Sequence, residues 1–349
     1  MKKIDLSRVV RTAIVGCFSV TAATASGAAH DFQAGGAKFN PGHYAAVGPG
    51  AAIDEIPYLD EPAVRGVNKR YKWKRLEPRK GEYDFTEIEE DLRVLKEHDK
   101  QLVVFLMDKS FSEWPSLPGY LSDYAVEEEG FLDPVRWHPV MVERLLALGK
   151  ALAARFDGDP HFEGLALQES ALDMTNEARQ AHGYTPERYR DALIAILTGI
   201  QKSMKQSHVF WYCNFMRGND GHLSQVAEAI VPYGVFMGGP DILPHRIGLN
   251  EESYPMYEEF NGRLTLFCSA QTDSYRHHKN DTRVWRKEPL HEEGYLTMEQ
   301  ILLFARDSLH VSYVFWDVKY GGEDKGERNY DDAVQVVRKY PTLARPKTR

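Results

Sequence analysis

The chain predicts an α/β fold, a single (β/α)8 TIM barrel, and three observations carry that prediction. Short apolar runs alternate with amphipathic stretches of helical period, the pattern of a parallel sheet covered by helices. Eight such runs fall between residues 38 and 318 of the 349, close to the roughly 250 residues typical of a barrel. An open, doubly wound sheet would instead want a glycine-rich first turn for phosphates. None is visible, since Gly35-Gly36 precedes the first strand and Gly238-Gly239 runs into Pro240.

Residues 38–47 (KFNPGHYAAV) hold the first strand and 64–73 the second. Beyond it Pro78 ends the extended chain, Gly81 permits a turn, and Asp84 or Thr86 caps a helix whose Ile88, Leu92 and Leu95 recur at helical spacing. The third strand is 101–107 (QLVVFLM). A long loop follows, containing Trp114 and Glu127-Glu128-Glu129, and leads to a helix on Met141, Leu145, Leu148 and Leu152. Residues 162–169 (FEGLALQE) make the fourth strand. Thr185-Pro186 opens the next helix, with proline at its favoured first position. Strands five to eight are 209–214, 234–238, 264–270 and 311–318, separated by helices on Leu223, Val226 and Ile230 and on the 298–309 segment. A last helix carries Ala333, Val334 and Val337, and no internal repeat stands out.

The formal charge of −8 implies no face dominated by lysine and arginine, which argues against nucleic acid as a partner. Residues 1–29 have the order of a secretory leader: Lys2, Lys3, Arg8 and Arg11, a short apolar stretch over 12–23, then small residues for cleavage. The stretch is too short to span a bilayer, so the mature domain, 30–349, is expected to be periplasmic or secreted without a membrane anchor. Cys17 lies in the leader. Cys213 and Cys268 end strands five and seven, which as non-neighbours stand roughly 9–10 Å apart. A disulfide reaches about 7 Å between Cα atoms, so two free, buried thiols are expected.

Trp73, Leu76-Glu77-Pro78, Gly81 and Tyr83-Asp84-Phe85, placed after the second strand, resemble the barrel glycoside hydrolases of clan A. The resemblance implies a (β/α)8 barrel with catalytic carboxylates at the ends of strands four and seven, and a carbohydrate substrate. In those families an Asn-Glu pair ends strand four and its Glu is the general acid. Here the pair is Gln168-Glu169, so the resemblance implies that role for Glu169, with the longer amide as a departure.

Barrel active sites sit where strands end. Glu169 ends an otherwise apolar strand, where a carboxylate faces a cavity or is costly to bury; strand alternation places Leu165, Leu167 and Glu169 on one side. The second carboxylate is open. Strand seven offers Gln271, an amide that cannot act as the usual nucleophile. Asp273 can take that place, Asp241 can serve from strand six as an inverting base, or the chain has lost hydrolysis and only binds sugar. Candidates for holding the sugar are His43, Trp73, Trp114, Tyr212, Asn214, Gln271, Trp316 and Asp317, rings and polar tips at or beyond strand ends. Among the basic residues alternating along strand two, Arg75 and one neighbour can reach the mouth, which leaves room for an anionic sugar. His277-His278 lack the spacing that puts two ligands on one helix face, so neither a metal nor a cofactor is expected, and a monomer or weak oligomer is.

Overall fold

The computed structural model describes residues 36–110, 115–128, 130–277, 294–318 and 330–343. The leader-like 1–29 with Cys17, together with Trp114, Glu129 and His278, lies outside them. The eight apolar runs form β1 (Gly42–Val47), β2 (Val64–Lys72), β3 (Gln101–Met107), β4 (Phe162–Leu167), β5 (His208–Tyr212), β6 (Phe236–Gly239), β7 (Leu266–Ala270) and β8 (Tyr313–Asp317). All neighbours pair in parallel. The sheet closes in the order β1-β8-β7-β6-β5-β4-β3-β2.

The main covering helices are α1 (Thr86–Glu97), α2 (Pro139–Phe156), α3 (Pro186–Ser203), α4 (His222–Ile230), α5 (Tyr254–Phe260), α6 (Met298–Leu303) and α7 (Tyr330–Lys339). Their starts follow local chemistry. The Thr185 hydroxyl accepts from the Arg188 amide with Pro186 just inside α3. Thr297 and Gln300 satisfy each other's amides in a capping box before α6. The helix expected to run to residue 309 changes to a π turn over Phe304–Ser308.

Alternation sorts the strand residues into two cores. Outward side chains such as Val67, Leu165, Leu167 and Trp211 pack under the helices. Inward positions are filled by rings: Tyr44, Phe105, Phe210, Tyr212, Phe236, Phe267, Tyr313 and Phe315. Tyr212 meets Phe105 and Phe267 edge-on at 5.0 and 4.8 Å between centroids. Glycine makes room for them. A Cβ on Gly238 would stand 2.3 Å from the Phe267 carbonyl oxygen and 2.4 Å from the ring's Cγ. At the lower end Glu163 accepts from the Asn40 side chain and the Tyr313 hydroxyl.

Two loop features follow. The 71–85 stretch folds as a single helical turn, Trp73–Leu76, and a loop wrapped on Glu77. Fully buried, Glu77 accepts from the Trp73 indole at 2.9 Å and the Gly81 amide at 2.8 Å, and pairs with Arg144 of α2. Glu77 is therefore the loop's anchor. The long loop after β3 holds an unforeseen two-stranded ribbon, Ala125–Glu128 against Phe131–Pro134. The Ser110 and Leu132 backbones tie it to the end of β3 through bonds of 2.9 and 3.0 Å. Cys213 and Cys268 are free and buried, as their places on non-adjacent strands require.

Candidate active site

Because rings fill the cylinder, any site lies above them, at the strand ends. There Glu169 is held from both sides. The Asn214 side-chain amide beyond β5 donates to one oxygen at 2.8 Å. The Lys109 ammonium beyond β3 donates to the other at 3.2 Å. Asn214 is fixed in turn, its carbonyl oxygen accepting from the amides of Ala171 and Phe215 at 3.0 and 2.7 Å. Lys109 is almost fully buried, yet its pKa is raised. Burial opposes its charge, but the carboxylates of Glu169, Asp133 and Asp173 outweigh that. It stays an ammonium and is no amine nucleophile. Beneath it Arg136 grips Asp108 with two 2.7 Å bonds and donates to the Glu169 carbonyl at 2.5 Å. Gln168 turns its oxygen to the amides of Asp108 and Lys109, at 3.2 and 2.9 Å. β3 and β4 are thereby stitched together immediately below Glu169.

Asp241 follows β6 and is half-buried. Its backbone oxygen accepts from the Tyr254 hydroxyl at 3.2 Å, and no hydrogen bond to its carboxylate occurs among the described residues. Burial, then Glu169 and Asp273, push its pKa up to about 7, against a small opposing effect of Arg246. Glu169 thus acts on Asp241 across the mouth. Gln271 and exposed Asp273 belong to the short helix start after β7. Asp317 ends β8 on the inward parity of Tyr313 and Phe315 and is 5% exposed. Arg70 of β2 lies over the Phe105 ring at 5.4 Å, inside the mouth.

Several expected sugar contacts are elsewhere. Trp73 is fully buried with its indole spent on Glu77, so it presents no face to a ligand. Trp316 is 1% exposed on the outward side of β8 and donates to His43 at 3.1 Å. His43 is equally sealed, bonded to the Tyr340 carbonyl at 2.9 Å beside the C-terminal helix. Tyr212 belongs to the floor, its hydroxyl tied to Ser269 at 2.8 Å. Trp114 lies outside the described residues. The alternation argument for Glu169 also fails, because the ladder stops at Leu167; Leu165 and Leu167 face the helices while Glu169 stands on the rim. A small cavity lined by Leu145, Leu167, Leu193 and Leu197 lies under α2 and α3, on the helix side of the wall.

His43 has a measurable consequence. Burial lowers its pKa to about 4, so the folded state holds it neutral. The unfolded chain takes up a proton near pH 6.5. Stability therefore falls as pH drops from 6.5 towards 4, by about 3 kcal/mol from this residue. An imidazole NMR titration with a midpoint near 6.5 in the native protein would contradict the assignment.

Sequence reading missed Arg136, Asp133 and Arg246. Asp108-Lys109 follows an apolar strand, which is a local signal of a strand end at the mouth. Arg136 follows the ribbon and had none.

No protein-family model matches the chain, and no curated protein matches it. Solved structures do. An exo-β-1,4-mannosidase of Opitutaceae bacterium strain TAV5 superposes with a TM-score of 0.51 at 15% identity, over 82% of this chain and 53% of the mannosidase. The GH5_18 protein of Bifidobacterium longum, solved with Manβ1-4GlcNAc, gives 0.52 at 14%, over 88% of this chain and 81% of that one. A β-galactosidase of Bacillus circulans gives 0.54 at 10%, over 86% and 55%. The chain thus spans little more than half of the mannosidase and the galactosidase. At these identities the likeness is one of fold alone: the chain shares the (β/α)8 barrel architecture of those proteins. Among the described residues no cluster of three metal-ligating side chains occurs, and no helix is long and apolar enough to cross a membrane.

Proposed function

We propose that the protein is an exported glycoside hydrolase, periplasmic or secreted, cleaving glycosidic bonds of an oligo- or polysaccharide at this mouth. The observation that carries the reading is the placing of Glu169 and Asp241, two carboxyl groups from different strand ends, the first near enough to help raise the pKa of the second. Glycoside hydrolysis needs two such groups, one giving a proton to the leaving oxygen, the other acting on the anomeric centre or its water. The solved barrels it resembles are glycosidases, and the charge order of residues 1–29 supports export.

Clan A resemblance makes Glu169 the general acid and Asp241 or Asp273 its partner. The surroundings favour Asp241 over exposed Asp273, and they also support exchanged roles. Asp241, with no donor to its carboxylate among the described residues and a pKa near 7, is suited to hold the proton. Leaving-group dependence separates the two. The variant lacking the acid keeps activity on dinitrophenyl glycosides, whose leaving group needs no proton, and loses it on natural linkages. Anomeric NMR of the first product gives retention or inversion.

Asp241→Asn carries its own prediction. The folded state keeps this proton up to about pH 7, whereas the unfolded chain releases it near 3.8. Stability from this group is therefore lost as pH rises through that window. The amide removes the cost, so at pH 8 the variant should be more stable by about 2 kcal/mol, discounted for partial exposure, while losing activity. Urea denaturation at pH 5 and pH 8 checks it; equal loss of stability at both contradicts it.

A non-hydrolytic carbohydrate-binding barrel is the second reading, favoured by Gln271 where β7 would otherwise deliver a carboxylate. Binding without turnover across a broad glycan panel decides for it.

A further inference from the structure

The loop after β6 carries a buried cation that has no paired anion among the described residues. Arg246 is 6% exposed. Its Nε is sealed from water with no acceptor. Among the described residues no carboxylate stands at ion-pair distance and no carbonyl accepts from its side chain. Among the described residues the other buried arginines each have a partner for the guanidinium, Arg136 in Asp108, Arg144 in Glu77 and Arg179 in the Leu172 carbonyl, although Arg144 and Arg179 also leave Nε without an acceptor.

Its place is set by neighbours already in the site. The guanidinium lies 5.9 Å from the ring centroid of Phe215, the residue after Asn214, which holds Glu169. It acts on the Asp241 carboxyl without pairing with it. The loop is pinned on both sides: the Arg246 amide donates to the Leu243 carbonyl at 3.0 Å, and the His245 amide donates to His277 Nε2 at 3.1 Å. Arg246 therefore stands between the ends of β5 and β6, on the rim that carries the two carboxyl groups.

A guanidinium keeps its charge in a protein, and burying a charge unpaired costs several kcal/mol. Its planar fork fits a carboxylate or a sulfate through two parallel hydrogen bonds. The rest of the rim carries the acids Glu169, Asp241 and Asp317, with Lys109 held by carboxylates and Arg70 lying over Phe105. We propose that the mouth takes an acidic carbohydrate, whose carboxylate or sulfate group seats on Arg246 between the ends of β5 and β6. This rests on the carbohydrate reading of the site.

The test reads binding, not turnover. Oligosaccharides from polygalacturonate, glucuronoxylan, alginate and a sulfated galactan are titrated calorimetrically into the full chain. Each is paired with its neutral counterpart, made by carboxyl reduction or desulfation. At least one acidic ligand should bind about 100-fold more tightly than its counterpart, and the arm that does so tells carboxylate from sulfate. Arg246→Gln should bring the two within about threefold at an unchanged circular dichroism spectrum. Should that variant not fold, Arg246→Lys, which keeps the charge but not the fork, should lose about tenfold. Equal binding of neutral counterparts, no acidic ligand bound, a preference above about threefold in folded Arg246→Gln, or an undiminished preference in Arg246→Lys overturns the proposal. An acidic glycan bound but never cleaved sinks the enzyme reading and upholds this one; cleavage of neutral glycans alone does the reverse.

Discussion

Glu169→Gln should lower kcat/KM on natural glycosidic linkages by about 10³-fold, within the span of a single general acid or base, and leave the melting temperature almost where it was. The small stability effect follows from the surroundings. The amide has the shape of the acid, and its single oxygen can still accept from Lys109, so only the hydrogen bond from Asn214 is given up. Lys109 also keeps Asp173 at 2.8 Å and Asp133 at 3.9 Å, so its buried charge remains compensated. A steady-state rate on a cleaved glycan and a calorimetric scan suffice. Full activity in the variant ends Glu169's role, and a collapse in melting temperature makes it structural.

The largest loss of stability should come from Glu77→Ala. Three donors converge on that buried carboxylate: the Trp73 indole, the Gly81 amide and Arg144. Removing it strands a guanidinium whose side chain is 7% exposed. One-sided disruption of a buried ion pair costs about 3–5 kcal/mol, roughly 10 °C in melting temperature for a domain of this size. Glu77→Gln keeps the shape and should cost less. A shift below about 2 °C for the alanine variant would mean the loop is held by something else.

That carboxylate also shows what the sequence does and does not disclose. The stretch around it was legible as the join between strand two and the first covering helix, and it pointed to the right architecture. Its Trp and Glu, however, are spent on one another. A ring at a strand end reads the same whether it faces a ligand or a carboxylate four residues on. The barrel was legible because each apolar run reports its own burial. The ribbon was not, since its register comes from pairing with Ser110 and not from its own pattern. The end of β4 was placed two residues late because apolar Leu165 and Leu167 run smoothly into Gln168-Glu169; only the Gln168 bonds across to β3 reveal where the ladder stops. Arg246 was invisible for a similar reason. An arginine in a loop is ordinarily solvated, and what isolates this one is contact with Phe215, distant in the chain.

The ring-filled interior has a consequence for how this molecule changes its customers. With Tyr212 and Ser269 latched together beneath the rim, there is no shaft for a guest to descend. A ligand at the mouth would lie across the top, held mainly by the connecting segments. Those segments can be rewritten one at a time while the chassis below stays untouched, so new preferences can arise without rebuilding the cylinder.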